Sequence, residues 1–461
     1  MSETASGGRR ASTGRERRVD VLVGLAILLP ALVAVSVGLI GSEDDPFGGP
    51  RLPTTAALTS ATVVCPSGVT SGGSVRVTRV PEVPGGELSV GDDTITVEAG
   101  ASVAVPAPDG PVVLDGQGRA APGIAAGRDE PLAVPECRAP SYDEWLVGVG
   151  ASARYATTIE LVNPDDSDAV VDLALQGEDG PIEEPALRGL EVPANSTRQV
   201  DLAAVAPRTE TTAAHLTVVR GRVTATARNT SDPLGRGRVT TDFLPADTEA
   251  ATDSLILGVP AAPTQLMLHL ANPGDDEVRV TTRLVSGEAV FTPTGAEEVD
   301  VAPHSMVSVD LTEVLSGDVA KGVVGIQVDS TGPVVSSAMG LVRGDLVLLA
   351  PAPELSDPAA TVLPRGAKTL LLGGATRTGV VHVVSYDARG TVLADERVET
   401  GAGRADSLAL PPGAVSVTVE ARNTRIHAVV SIATGGRTPG LATVRVRPAE
   451  LRAQIPVVVP E

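Results

Sequence analysis

The feature that most constrains this chain is an internal repeat. TTIELVNPDDSDAVVDLAL from Thr157 and QLMLHLANPGDDEVRVTTRLV from Gln265 each carry an apolar alternation into an Asn-Pro corner and leave it through acids. Asn163-Pro164 and Asn272-Pro273 stand 109 residues apart, as do Leu202 and Leu311, which close EVPANSTRQVDL and DVAPHSMVSVDL. A third landmark, GRVTATA from Gly221 against GPVVSSA from Gly332, drifts to 111, as a two-residue loop insertion would cause. A degenerate copy starts at Thr378, and a stretch from Leu58 to Pro135 has the same texture. The chain is therefore expected to hold four units of about 100 residues, the size of an immunoglobulin-like sandwich.

Within each unit, Val- and Thr-rich runs alternate with period two between Gly, Pro, Asn and Asp, for example Ala169 to Leu175, Ala214 to Val219 and Arg222 to Arg228. That is the pattern of half-buried strands. No long 3.6-residue apolar pattern follows Gly41, so the expected fold is all-β: an N-terminal transmembrane helix, then about four tandem immunoglobulin-like β-sandwich modules. The expected boundaries are a basic tail over 1–18, the anchor over 19–41, a linker over 42–57, and modules over 58–140, 141–250, 251–355 and 356–461.

The anchor rests on Val21 to Ile40, twenty residues without a charge. At about 1.5 Å per helical residue they span about 30 Å of hydrocarbon. Pro30 inside the run is tolerated in lipid. Five arginines before the span (Arg9, Arg10, Arg15, Arg17, Arg18) and three acids after it (Glu43, Asp44, Asp45) predict a cytosolic N-terminus and an extracytoplasmic remainder. The alternative is a cleaved signal peptide ending at Ser36-Val37-Gly38. In either case Cys65 and Cys137, the only cysteines, reach an oxidising compartment and are expected to form one disulfide.

Composition removes several functions. A net charge of -21 speaks against nucleic acid, whose phosphates are held by clustered Lys and Arg. Only seven aromatic residues leave little of the flat apolar surface that sugar-binding modules use. Val147 to Ala153 reads GxGxxA, but TTIELV after it is a strand where a dinucleotide site needs a helix. Gly366-Ala367-Lys368-Thr369 lacks the glycines of a phosphate loop, and no GxSxG elbow exists. The five histidines (His215, His269, His304, His382, His427) show no paired metal-ligand spacing. No catalytic or cofactor-binding residue is expected, and no cofactor.

Two constellations remain. The acidic corners Asp165, Asp166, Asp168 and Asp275, Asp276, Glu277 occupy equivalent repeat positions and offer hard oxygen ligands to calcium; solvated hairpin tips use the same residues. Trp145, the only tryptophan, is expected to pack at the start of the second module against the first. Asn195-Ser196-Thr197 and Asn229-Thr230-Ser231 are formal glycosylation sequons.

Only Lys321 and Lys368 among 36 basic residues are lysine, the bias of a GC-rich genome. With the anchor, the CPSG segment at Cys65, CRAPSYDEWLVGVG and the two Asn-Pro corners, the chain resembles a family of actinobacterial secreted, membrane-anchored proteins classified as a domain of unknown function. The resemblance implies a cell-envelope setting, with the genes of members often near those of envelope glycosyltransferases, and assigns no catalytic residue. The expectation is a non-enzymatic single-pass envelope protein whose ectodomain is an interaction or spacer scaffold for envelope proteins or wall polymers. The alternative is an envelope hydrolase or transferase with a site between modules, marked by a pocket where Asp or Glu converges with a histidine.

Overall fold

A computed structural model describes residues 54–69, 73–107, 110–130, 132–207, 209–294, 298–435 and 439–455. The expected tail and Val21–Ile40 span lie outside these residues. Among the described residues no helix is long and apolar enough to cross a membrane. Strand takes 59% of the structure and helix 4%, so the chain is nearly all β. One compact unit runs from Ala56 to Ala453. In the other, Met1–Thr55 with Gln454–Glu461, the described residues are strand.

Four antiparallel sheet pairs follow one another along the larger unit. In the second pair, one sheet orders Asp143–Val149, Thr212–Arg220, Ala169–Gly177 and Gly180–Ile182, with Leu190–Val192 beside Ala169–Gly177. Its companion orders Ser196–Asp201, Tyr155–Asn163, Thr224–Ser231 and Thr240–Leu244. The third pair (251–349) repeats these pairings strand for strand, and the fourth (359–445) does so with one strand, Val392–Thr400, in place of the two edge strands beside Ala169–Gly177. The first pair (60–128) repeats all but the last strand.

The signature of this topology is a strand that serves both sheets. Thr212–Arg220 and Thr224–Ser231 lie in different sheets of the second pair, separated only by Gly221, Arg222 and Val223. In the third pair the same path is one 20-residue strand, Val323–Val342, whose first half pairs with Ala251–Leu257 and Val278–Ser286 and whose second half pairs with Gln265–Asn272 and Asp345–Leu349. Sheet-switching strands of this kind make the corners of packed sheets. An immunoglobulin sandwich instead keeps its third strand and its last two in one sheet. The expectation of a nearly all-β chain holds, with several antiparallel sheets, while the strand order differs from that of an immunoglobulin sandwich.

Period-two patterning builds each core. Ala169, Val171, Leu173 and Leu175 turn inward from one strand and meet Ile159, Leu161, Ala225 and Ala227 of the facing sheet. Burying each Val or Leu side chain contributes about 1.5–3 kcal/mol. The repeat landmarks have a physical role as well. The amide nitrogen Nδ2 of buried Asn163 donates to the carbonyls of Ser167, Val192 and Pro193 at 2.8–3.1 Å, while Oδ1 accepts from Asp165 N. Asn272 does the same with Asp276, Val301, Ala302 and Gly274 N. The second landmark ends Ser196–Asp201 and Ser305–Asp310 each on a helical turn: Asp201 caps Ala203 N, Asp310 accepts from Thr312 N, and Leu202 and Leu311 drop into their cores.

Cys65 and Cys137 are joined, as expected, and tie the connector after the first pair to a core strand. Trp145 corrects its expectation. It packs with Val147 and Ala213 against Ala271, Met306 and Val335, so it seals the second pair against the third and not against the first. Asp143–Val149 presents Leu146 to its own core, which sends Trp145 and Val147 to the opposite face.

Candidate functional site

The site lies in a seam where three segments meet: the connector around Glu136–Arg138, the connector around Asp247, and the last strands of the fourth pair. Arg445 sits at its centre with almost no exposure. Its Nη2 donates to Glu136 Oε2 at 2.6 Å and to the Ala246 carbonyl at 2.8 Å; its Nη1 reaches Asp247 Oδ1 at 3.3 Å and the Pro351 carbonyl at 2.9 Å. Arg447 Nη1 adds a second cation 3.0 Å from Glu136 Oε2. Arg138 is buried beside them and holds Glu144 through both guanidinium Nη atoms, with Ala225 O as a further acceptor.

Burial and charge act in opposite directions here. Burial alone would raise the Glu136 carboxyl, but Arg445 and Arg447 overcome it and bring its pKa down to about 2. For Asp247 burial wins over Arg445, and the like charge of Glu136 adds to it, so its pKa rises to about 6. The seam therefore contains one carboxylate held ionised well below the usual range and one whose pKa is raised to about 6.

A cavity of about 250 Å³ opens beside the cluster, walled by Glu136, Arg138, Arg445 and Arg447 on one side and Val63 and Val362 on another. Two further clefts, of about 360 and 320 Å³, share Asp253, Ser254, Glu354 and His427. His427 Nδ1 lies 2.7 Å from the Ala352 carbonyl, an atom that can only accept, so Nδ1 carries a proton and donates it there. Ser254 Oγ is paired with Ser336 Oγ at 2.9 Å, and Glu354 with Arg425 at 2.8 Å. The cleft thus gathers acids, a hydroxyl and a histidine, but the Ser254 hydroxyl and the Glu354 carboxylate are engaged elsewhere than on the imidazole. A nucleophilic relay needs those bonds.

The corner acids are dispersed among protein donors. Asp165 takes both Nε and Nη2 of Arg222, at 2.8–3.0 Å. Asp166 accepts from Asn195 Nδ2, Asp168 from Ala194 N, and Asp275 faces His304 Nε2 at 2.8 Å. Asp276 is held by its backbone carbonyl, and Glu277 is exposed. Among the described residues no three His, Cys, Asp or Glu side chains gather to hold a metal.

The other histidines sit apart. His215 stacks on Trp145 at 4.0 Å and meets Asp143; His382 meets Asp395 at 2.6 Å; His269 is buried against Ser308, and that burial lowers its pKa to about 4. Sequence reasoning missed Glu136, Arg138, Asp247, Arg445 and Arg447. Their one signal was charge in proline-rich connectors, VPECRAP, PADTEA and VRVRPAE.

Residues 94–411 match the model of a family of unknown function (DUF5719). No curated protein and no solved structure matches the chain.

Proposed function

The chain belongs to that family of unknown function, and from this premise we propose that it is a non-enzymatic, single-pass cell-envelope protein whose ectodomain is a docking scaffold. One observation carries the reading: the first and fourth sheet pairs are bonded directly to each other. Glu136 meets Arg445, Ser102 N donates to Ala388 O, Gly123 N donates to Glu450 O, and Arg365 pairs with Asp129. Units that close on one another hold surfaces in fixed relation, which suits docking better than extension. The uncharged Val21–Ile40 run and the Cys65–Cys137 bridge support an extracytoplasmic, membrane-tethered setting. The boundaries 58–140, 141–250, 251–355 and 356–461 belong to the same proposal, each enclosing one sheet pair, as does the actinobacterial envelope setting.

The test is in-cell photo-cross-linking of the full-length protein followed by mass spectrometry. Capture of one envelope-assembly protein is the expected result. Capture of no envelope component by a folded, membrane-retained chain overturns the proposal. Capture of wall polymer alone would make the scaffold a structural spacer.

A second reading, an envelope hydrolase, is favoured by one feature, the free Nε2 of His427 in the clefts lined by Asp253 and Glu354. It requires that purified protein release new ends from envelope polymer and that His427→Ala abolish the release. Equal rates for the two proteins would remove it.

A further inference from the structure

The hairpin that leads into Thr240–Leu244 is longer than the fold needs. In the second pair eight residues, 232–239, join Thr224–Ser231 to that strand. In the third pair the same corner is turned by Arg343 and Gly344 alone. The eight residues read DPLGRGRV, and they expose two apolar side chains: Leu234 is 51% accessible and Val239 is 52%. Nothing in the core requires Leu234 there. It stands in the left-handed region, at φ 54°, where a branched side chain is strained, and Asp232 Oδ1 accepts its N–H at 2.8 Å to hold it.

The same tip is basic in a chain of net charge -21. Arg238 reaches Asp345 at 3.3 Å, which sets this tip beside the Arg343 turn of the third pair. Arg236 and Arg343 are both exposed, and among the described residues neither has an acidic partner. These two neighbouring turns thus carry two guanidinium groups without an acidic partner and two exposed aliphatic side chains. Guanidinium groups bind phosphate oxygens in pairs, and aliphatic tips gain by entering the acyl boundary beneath a headgroup. A soluble polyanion would use the arginines and leave Leu234 and Val239 in water.

We propose that Leu234, Arg236, Val239 and Arg343 form a second membrane contact that seats this hairpin tip on an anionic phospholipid surface. The contact goes beyond the docking scaffold and depends on it only for the presence of a membrane nearby. Failure of cross-linking would leave the lipid contact standing, and the reverse holds as well.

The test uses full-length protein carrying Leu234→Trp, reconstituted in vesicles of brominated phosphatidylcholine, alone or in equal parts with phosphatidylglycerol. The wild-type chain, whose only tryptophan is the buried Trp145, supplies the baseline. Additional fluorescence quenching on the anionic vesicles is expected. Arg236→Ala and Arg343→Ala should each lower the ratio of lipid-seated to free tip about fivefold. Both arginines are exposed, so these variants should fold. The proposal is overturned if quenching stays at baseline on anionic vesicles or is equal on phosphatidylcholine alone. It is also overturned if inorganic polyphosphate occupies the tip while the introduced tryptophan stays in water.

Discussion

Arg445 and Glu136, separated by 309 residues of chain, face each other with Nη2 and Oε2 2.6 Å apart in a seam that excludes most solvent. Removing one partner of such a pair leaves a charge without compensation, which costs far more than the intact pair contributes. Arg445→Met would leave Asp247 without its cation and Glu136 with Arg447 alone. The expected loss is about 3–5 kcal/mol of unfolding free energy, read from denaturant midpoints. Glu136→Gln in the Arg445→Met background should recover part of it, and a double-mutant cycle measures the coupling.

The raised carboxyls set a pH dependence of opposite sign to that of Glu136. Asp247 moves to about 6, and Asp242, buried where it accepts Leu348 N at 2.7 Å and Phe243 N at 2.9 Å, moves to about 8. Both bind protons more tightly folded than unfolded, so their contribution is complete below the ordinary aspartate range near 3.8 and is lost as pH rises through about 6 and about 8. Glu136, lowered from 4.5 to about 2, adds stability as pH rises through that acid interval. Thermal midpoints should therefore fall between pH 5 and about 9. Asp242→Asn should flatten the upper part of that decline.

The bridge between Cys65 and Cys137 closes a 72-residue separation. In the chain-entropy picture such a loop is worth about 4 kcal/mol. Replacing both cysteines with serine should lower the denaturant midpoint accordingly. Reducing agent should then have no further effect on the double variant, whereas it should shift the wild type.

Asn163 and Asn272 each gather three carbonyls from one buried amide. Asn→Ala at either site leaves buried acceptors unsatisfied, at about 1–3 kcal/mol for each group left without a partner. Equal losses for Asn163→Ala and Asn272→Ala are expected, because the two corners have the same geometry. A loss at one site alone would show that the repeat is sequence similarity without shared energetics.

The β class and the disulfide were legible because they rest on local pattern or on simple pairing. Val171, Leu173 and Leu175 announce a strand by alternation, and the 109-residue spacing marks equivalent corners wherever those corners lie in space. Strand order was not legible: the alternation in Thr212–Arg220 and Thr224–Ser231 is the same whether they form a hairpin in one sheet or cross between two. Trp145 was assigned the wrong neighbour, since its contact with Met306 and Val335 depends on how the second and third pairs meet. The seam was invisible for the same reason. Glu136, Asp247 and Arg445 sit in three separate connectors or edge strands, and no spacing rule joins residues so far apart.

Open arrays of repeated units gain and lose copies easily, because each unit touches only its neighbours. Direct bonding of the first sheet pair to the fourth removes that freedom. An added or deleted copy would carry Arg445 away from Glu136 and expose both halves of the seam at once. The number of units is therefore locked into this architecture, and length changes are expected to be tolerated in hairpin tips such as 232–239 and not in the count of sheet pairs.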